Sequence, residues 1–234
     1  MPVCRYLMSG KRKLPLVREL NLTFYRIDIM SSTSAGYGLV PVRRQDGTPY
    51  TGAQESYLFD PAGVAQNVGY GSVVELHTDG FVNIAAGTGA DAGANNLGGN
   101  TIGAIGVFVG CEYINAQGQL IFGQYYPSGT LNATAFVVTD PNVLFQAQAN
   151  GAVTQTDLGH NCDFPAAQHV TTSVNTTTGK STMQVNATTA TATKSFKVVG
   201  FVTKTGSAIG DAYTDVLVKI NLPYHQYGTG IVSN

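Results

Sequence analysis

Four apolar, β-branched or aromatic runs follow one another in the middle of the chain, at residues 102–113, 119–126, 133–139 and 143–148. Turn chemistry separates them: Asn115-Ala116-Gln117-Gly118, then Pro127-Ser128-Gly129, then Asp140-Pro141-Asn142. Asn and Asp side chains bond to the backbone two residues on, glycine reaches positive φ and proline presets φ, so these clusters return a strand. The same rhythm extends outward. Residues 36–44 read as extended, with Pro41 against helix, and Asp46-Gly47 with Pro49 as a turn. Residues 55–59 form a short strand candidate, and 73–77 and 81–85 flank Asp79-Gly80 as a hairpin. Beyond Asn150-Gly151 the pattern predicts a strand over 152–156, an irregular stretch over 158–170 and a polar turn over 174–180. Met183, Val185 and Ala187 alternate with polar residues as in a half-buried strand. The last strong strands span 196–204 and 215–222. No segment sustains a 3.6-residue period; at most residues 57–66 or 210–215 would make a short turn of helix. The expectation is an all-β fold, an antiparallel β-barrel or β-sandwich with long glycine-rich loops and an extended N-terminal arm.

Charge changes the picture at one end. Only 12% of residues are charged, about half the usual ~25%. Residues 1–44 hold Arg5, Lys11, Arg12, Lys13, Arg18, Arg26, Arg43 and Arg44 against Glu19 and Asp28, a net of +6, while the remainder carries −7. This divides the chain into a basic arm, residues 1–36, and a β domain, residues 37–234. Met30 opens a stretch that reads as an ordinary protein start, so the first 29 residues are either an extension or the product of an early start codon. Leu20, Leu22, Phe24, Ile27 and Ile29 could form one strand there. A basic arm on an acidic body suits nucleic acid or an acidic neighbour, including another copy of the chain. Arg5-Tyr6 and Phe24-Tyr25-Arg26 interleave charge with aromatic faces, as nucleic-acid binders do. Laying the arm along a neighbouring subunit is the favoured use, and nucleic-acid contact the less favoured one. No apolar run reaches the ~18 residues of a membrane span. No signal peptide is visible in the sequence.

Candidate catalytic chemistry is thin. Cys4, Cys111 and Cys162 form no CxxC pair and suit a reducing compartment. His160-Asn161-Cys162-Asp163 groups a base, a thiol and a carboxylate, but adjacent strand residues point to opposite faces, so a buried cysteine beside a loop histidine is the expectation. His77, His160, His169 and His225 show no metal-ligand spacing. Asp211 and Asp215 share a face on a helix only. The glycine-rich residues 87–99 lack the spacing and following helix of a dinucleotide loop. Neither a catalytic residue nor a cofactor is expected.

Six stretches in order, residues 37–44 (YGLVPVRR), 50–59 (YTGAQESYLF), 102–112 (IGAIGVFVGCE), 140–151 (DPNVLFQAQANG), 158–163 (LGHNCD) and 210–221 (GDAYTDVLVKIN), carry a resemblance. Together the chain resembles a family of small structural proteins encoded beside the capsid genes of tailed bacteriophages, the head decoration or cement proteins. The resemblance implies a non-enzymatic virion protein on the capsid surface, made in the host cytoplasm. Its partners would be the major capsid protein and itself, as a homotrimer, with neither small-molecule substrate nor membrane. The expected contact segments are the arm through Arg43 and Arg44, the glycine loop 87–99 with Asn95 and Asn96, and the tail after Pro223 with Tyr224 and Tyr227. The competing class is a carbohydrate-binding or adhesin-like β module of a tail or secreted protein; the lack of tryptophan counts against it.

Overall fold

A computed structural model describes residues 33–77, 79–85, 104–164, 174–187, 194–203, 206–222 and 225–226. The fold is all-β and antiparallel, with two main sheets packed face to face. Sheet A has the order β1-β10-β15-β14-β11, built from Val40–Arg44, Val143–Gln148, Asp215–Ile220, Phe196–Phe201 and Asn161–Cys162. Sheet B has the order β2-β9-β6-β4-β5, from Glu55–Leu58, Thr134–Val138, Gly106–Ile114, Val73–Leu76 and Val82–Ile84. β7, Leu120–Gly123, pairs with the far half of β6. Two short pairs, β3 (Val68–Gly69) with β8 (Tyr125–Tyr126) and β12 (Val174–Asn175) with β13 (Lys180–Ser181), are joined through Tyr70, which bridges to Lys180.

The turns form where their chemistry places them. Asp46, Asp60, Asp79, Asn115, Asp140 and Asn175 each accept, through Oδ1, the backbone N–H two residues on, at 2.8–3.1 Å. Each local bond fixes the direction in which the next strand leaves.

Sheet B is apolar on both faces, and this organises the body. Val73, Val107 and Val138 face sheet A and meet Val143, Phe145, Ala147, Phe196, Val198, Val216 and Val218 in the first core. The neighbouring residues Val74, Phe108 and Val137 point the other way. There they meet Phe59, Val64, Val68, Val82, Tyr126 and Ala133 in a second core. Phe59 stacks on Tyr126 at 4.2 Å between ring centroids. The buried Tyr126 hydroxyl accepts the Val64 N–H and donates to the Thr130 carbonyl, so its polar tip is satisfied. An extra residue in β6, Val109, shifts the register with β9 between Phe108 and Gly110. This bulge puts both Phe108 and Cys111 into the second core, three residues apart. Sheet B thus curls around the second core; one isolated bridge, Phe59 to Val82, brings its margins together without closing a barrel.

Several expectations are corrected. Residues 152–156 are not a strand: Val153 is buried with its N–H on Thr214 Oγ1, and Gln155–Asp157 is a 3-10 turn. The 183–187 alternation is not a half-buried strand either. Met183, Gln184 and Val185 are all buried, because Gln184 is covered by Gln148. Residues 57–66 and 210–215 form no helix; turns and the ends of β2 and β15 occupy them. The 119–126 run breaks into β7 and β8 at Gln124, whose carbonyl accepts the Tyr70 N–H.

The first described residues belong to the body. The buried Gln148 side chain accepts the Ala35 N–H at 2.8 Å and the Gln184 amide at 2.7 Å. Gly38 has φ +76° and packs against the Gly71 carbonyl, where an L side chain would be both strained and obstructed.

Candidate assembly surface

Sheet A covers only part of the face that sheet B turns toward it. The uncovered part follows from the register. Residues paired across antiparallel strands project to one face, and successive residues alternate. Leu58, Thr134, Glu112 and Phe122 therefore line up across β2, β9, β6 and β7. Ser56, Phe136 and Gly110 form the next row, and Ile114 opposite Leu120 a third. The neighbours Tyr57, Ala135, Cys111 and Tyr113 turn to the second core, which confirms the phase.

This overhang is open and largely apolar, with Glu112 as the charged side chain in its rows. Phe122 is 66% exposed, Ile114 64%, Leu120 58% and Leu58 57%. Together they present on the order of 500 Å² of apolar surface, at the upper end of what a monomer leaves bare. Beside Ile114 lies a shallow depression whose other wall is Leu131, itself 56% exposed. Residues 113–139 contain no charged side chain; Glu112 and Asp140 bracket them. The sequence offered a signal here: 27 consecutive uncharged residues with apolar side chains on both strand faces. Such residues read as core until the second sheet is found to stop short of them.

The sequence-derived contact residues are mostly placed elsewhere or outside the described residues. Arg5, Lys11, Arg12, Lys13, Arg18, Arg26, Asn95, Asn96, Tyr224 and Tyr227 lie outside them, as does the whole glycine loop 87–99. Arg43 and Arg44 are exposed on β1, the margin of sheet A. Arg44 Nη2 lies 3.0 Å from Asp140 Oδ2, a surface ion pair worth about 1 kcal/mol or less.

Two residues of the expected contact tail, His225 and Gln226, are described. His225 and Gln226 are buried. His225 bridges to Ala104, and the Gln226 side-chain amide accepts the Leu76 N–H and donates to the Leu76 carbonyl, both at 2.9 Å. The amide thus completes the margin of β4 as a strand would. Burial pushes the His225 imidazole below its ordinary pKa of 6.5, against the opposing pull of the Thr139 carbonyl and the Asp140 charge. The folded state therefore favours neutral His225, while the unfolded chain takes up a proton near pH 6.5. Its stabilising effect is complete above that pH and is lost as the pH falls below it, by up to about 1.4 kcal/mol per unit. His77 opposes this, because its hydrogen bond to Glu75 raises its pKa. We expect melting temperature to fall less between pH 7 and pH 5 in His225→Gln than in the wild type. Parallel pH profiles would show that His225 is not the group responsible.

The near-adjacent His160, Cys162 and Asp163 are separated by burial. His160 is partly exposed with Nδ1 3.9 Å from Asp157, whereas Cys162 sits in the first core and burial pushes its thiol pKa far up. Asp163 is buried and paired with Lys194 Nζ at 2.8 Å, and its Oδ1 accepts from the Ser195 N–H and hydroxyl. Its role there is to tie the start of β14 to the end of β11. Asp215 likewise accepts a hydrogen bond from Tyr37, whose oxygen accepts from Gln146. Burial of that group raises the Asp215 pKa. Among the described residues no three histidine, cysteine or acidic side chains are placed to hold a metal ion. No helix among them is long and apolar enough to cross a membrane.

The chain matches no protein-family model, no curated protein and no solved structure.

Proposed function

We propose that this chain is a non-enzymatic structural protein of a tailed-phage head, bound to the outside of the shell and cementing major capsid protein subunits. The observation that carries the assembly role is the overhang of sheet B, four strands wide, on which Leu58, Ile114, Leu120 and Phe122 lie exposed with Glu112 as the charged side chain in their rows. A face of this kind gains from being covered, at about 25 cal/mol per Å² of apolar area. The same gain makes it a liability in a protein that stays alone. The ordered resemblance of residues 37–221 to head decoration proteins supplies the head as the place of assembly. In a lattice each contact can be modest, because many copies act together on one shell. The basic arm and the glycine loop would add contacts reaching across subunit boundaries.

Mass spectrometry of purified virions tests this. We expect the protein at a fixed ratio near one copy per major capsid protein. A few copies per particle, or none, would sink the head-cement reading.

A further inference from the structure

We infer that the outward face of sheet A is a docking surface for an acidic protein partner, whose carboxylates meet a row formed by Arg43, Lys219 and Lys197. The inference stands apart from the overhang of sheet B and from the head as the place of assembly.

Register places the row. Phe145, Val218, Val198 and Phe196 turn to the first core, so the residues that alternate with them face outward. Arg43 pairs with Leu144, Lys219 with Lys197, and Lys197 with Asn161. Phe145 opposite Val218 puts Leu144 beside Lys219. The three cations thus stand in one line across β1, β15 and β14, roughly 15 Å long at ~4.8 Å per strand. A hydrogen bond from Lys219 Nζ to Gln45 Oε1 at 3.2 Å carries the lysine stem over Leu144, which is buried although it faces outward. Gln45 is neutral and leaves the charge uncompensated.

The charge on this row is unopposed. The described cationic side chains are Arg43, Arg44, Lys180, Lys194, Lys197 and Lys219. Asp140 neutralises Arg44, and Asp163 neutralises Lys194. Of those left without an ion pair among the described residues, all but Lys180 share the row. Like charges directly opposite each other, as Lys197 and Lys219 are, oppose the pairing of β14 with β15. A carboxylate set between them removes that repulsion. Asp215, the described acid on this face, lies ~13 Å along β15 from Lys219 and is held by the Tyr37 hydroxyl at 3.0 Å. The preceding segment adds to the same sign. Outward-facing Gln148 accepts the Ala35 N–H and donates to the Thr33 carbonyl, so residues 1–32 join the body at this face. That segment holds Arg5, Lys11, Arg12, Lys13, Arg18 and Arg26 against Glu19 and Asp28, a net of +4.

The kind of anion follows from the surroundings. Three cations engage about three phosphates, short of the 6–10 contacts of a protein that binds nucleic acid through its backbone. Neither this row nor the next, Val40, Gln146, Leu217 and Gly200, carries an aromatic ring to stack a base. The Tyr37 ring beside Gln146 is half-buried with its hydroxyl engaged. A flat sheet face with half-buried Leu217, and with Val42 exposed at its margin, suits the mixed apolar and charged contact of a protein surface.

The test is fluorescence anisotropy of the full chain with labelled poly-L-glutamate at low salt. We expect the double variant Lys197→Gln/Lys219→Gln to bind about fivefold more weakly, as for the loss of two partly exposed charge pairs. Lys197→Arg/Lys219→Arg should keep the affinity of the wild type. Lys180→Gln, on β13 and outside the row, should change it by less than about twofold. Far-UV circular dichroism and melting temperature should match the wild type throughout. Should the lysine pair prove necessary for folding, Arg43→Gln on the exposed margin reads the same loss at about twofold. Unchanged affinity in the glutamine variants, an equal loss in Lys180→Gln, or a loss seen only on deleting residues 1–32 overturns the proposal. So does tighter binding of a single-stranded DNA oligonucleotide of equal charge, weakened by the same double variant, which would make nucleic acid the partner. The copy number in virions is unaffected by these outcomes, so the head reading stands or falls separately.

Discussion

Gly106→Ala is expected to lower stability by at least about 3 kcal/mol, the top of the usual range for overpacking, and the melting temperature by roughly 6–12 °C. Gly106 lies where β6 enters between β4 and β9, opposite Val74. A methyl group there would collide with the Val138 carbonyl oxygen and sit 2.8 Å from a Val137 methyl. Backbone cannot yield as a flexible side chain can. Relief requires β6 and β9 to part, which strains both cores at once because Val107 and Phe108 follow directly on opposite faces. Urea unfolding followed by circular dichroism measures the loss. A change under about 1 kcal/mol would mean that the two strands do not approach this closely.

Phe108→Ala should cost about 3–5 kcal/mol, the range for truncating a fully buried phenylalanine. The ring has no exposed surface and lies 6.1 Å from Phe59, centroid to centroid. Its removal leaves a cavity between sheet B and residues 59–68, which are held by other contacts and cannot collapse fully into it. Phe122→Ala, on the next strand but on the open face, should change the stability of the separated monomer by no more than about 0.5 kcal/mol. The contrast is read at a concentration where sedimentation shows a monomer, since any association would add its own stabilisation. Similar losses for the two phenylalanines would show that the overhang is covered within one molecule.

Much of the strand order along the chain was legible, for a local reason. The turns at Asp46, Asp79, Asn115, Asp140 and Asn175 are made by each residue's own side chain with backbone two residues on, and need no tertiary partner. The misreadings lie where a distant group replaces a strand neighbour. Val153 gives its N–H to the Thr214 hydroxyl, and Gln184 is buried against Gln148, 36 residues away. Periodicity cannot register such partners. The candidate assembly surface was the least legible part. Leu120 and Phe122 carry the same apolar signature as Val107 and Phe108, and composition does not tell a covered face from a bare one. The burial of His225 and Gln226 was hidden for a related reason: they look like polar tail residues until Leu76 and Ala104 are found beside them.

The amino-acid sequence by itself determined the all-β class, the hairpin turns and the contrast between a basic first segment and an acidic remainder. Each of these depends on residue types within a few positions or on their sum. Tertiary structure decided which of two apolar faces each strand would cover, where the bulge at Val109 would reset the alternation, and how far sheet A extends over sheet B. Those outcomes depend on contacts between residues a hundred positions apart, such as Val40 with Gln146, which no local pattern encodes. The reach of sheet A is what leaves Leu58, Ile114, Leu120 and Phe122 bare.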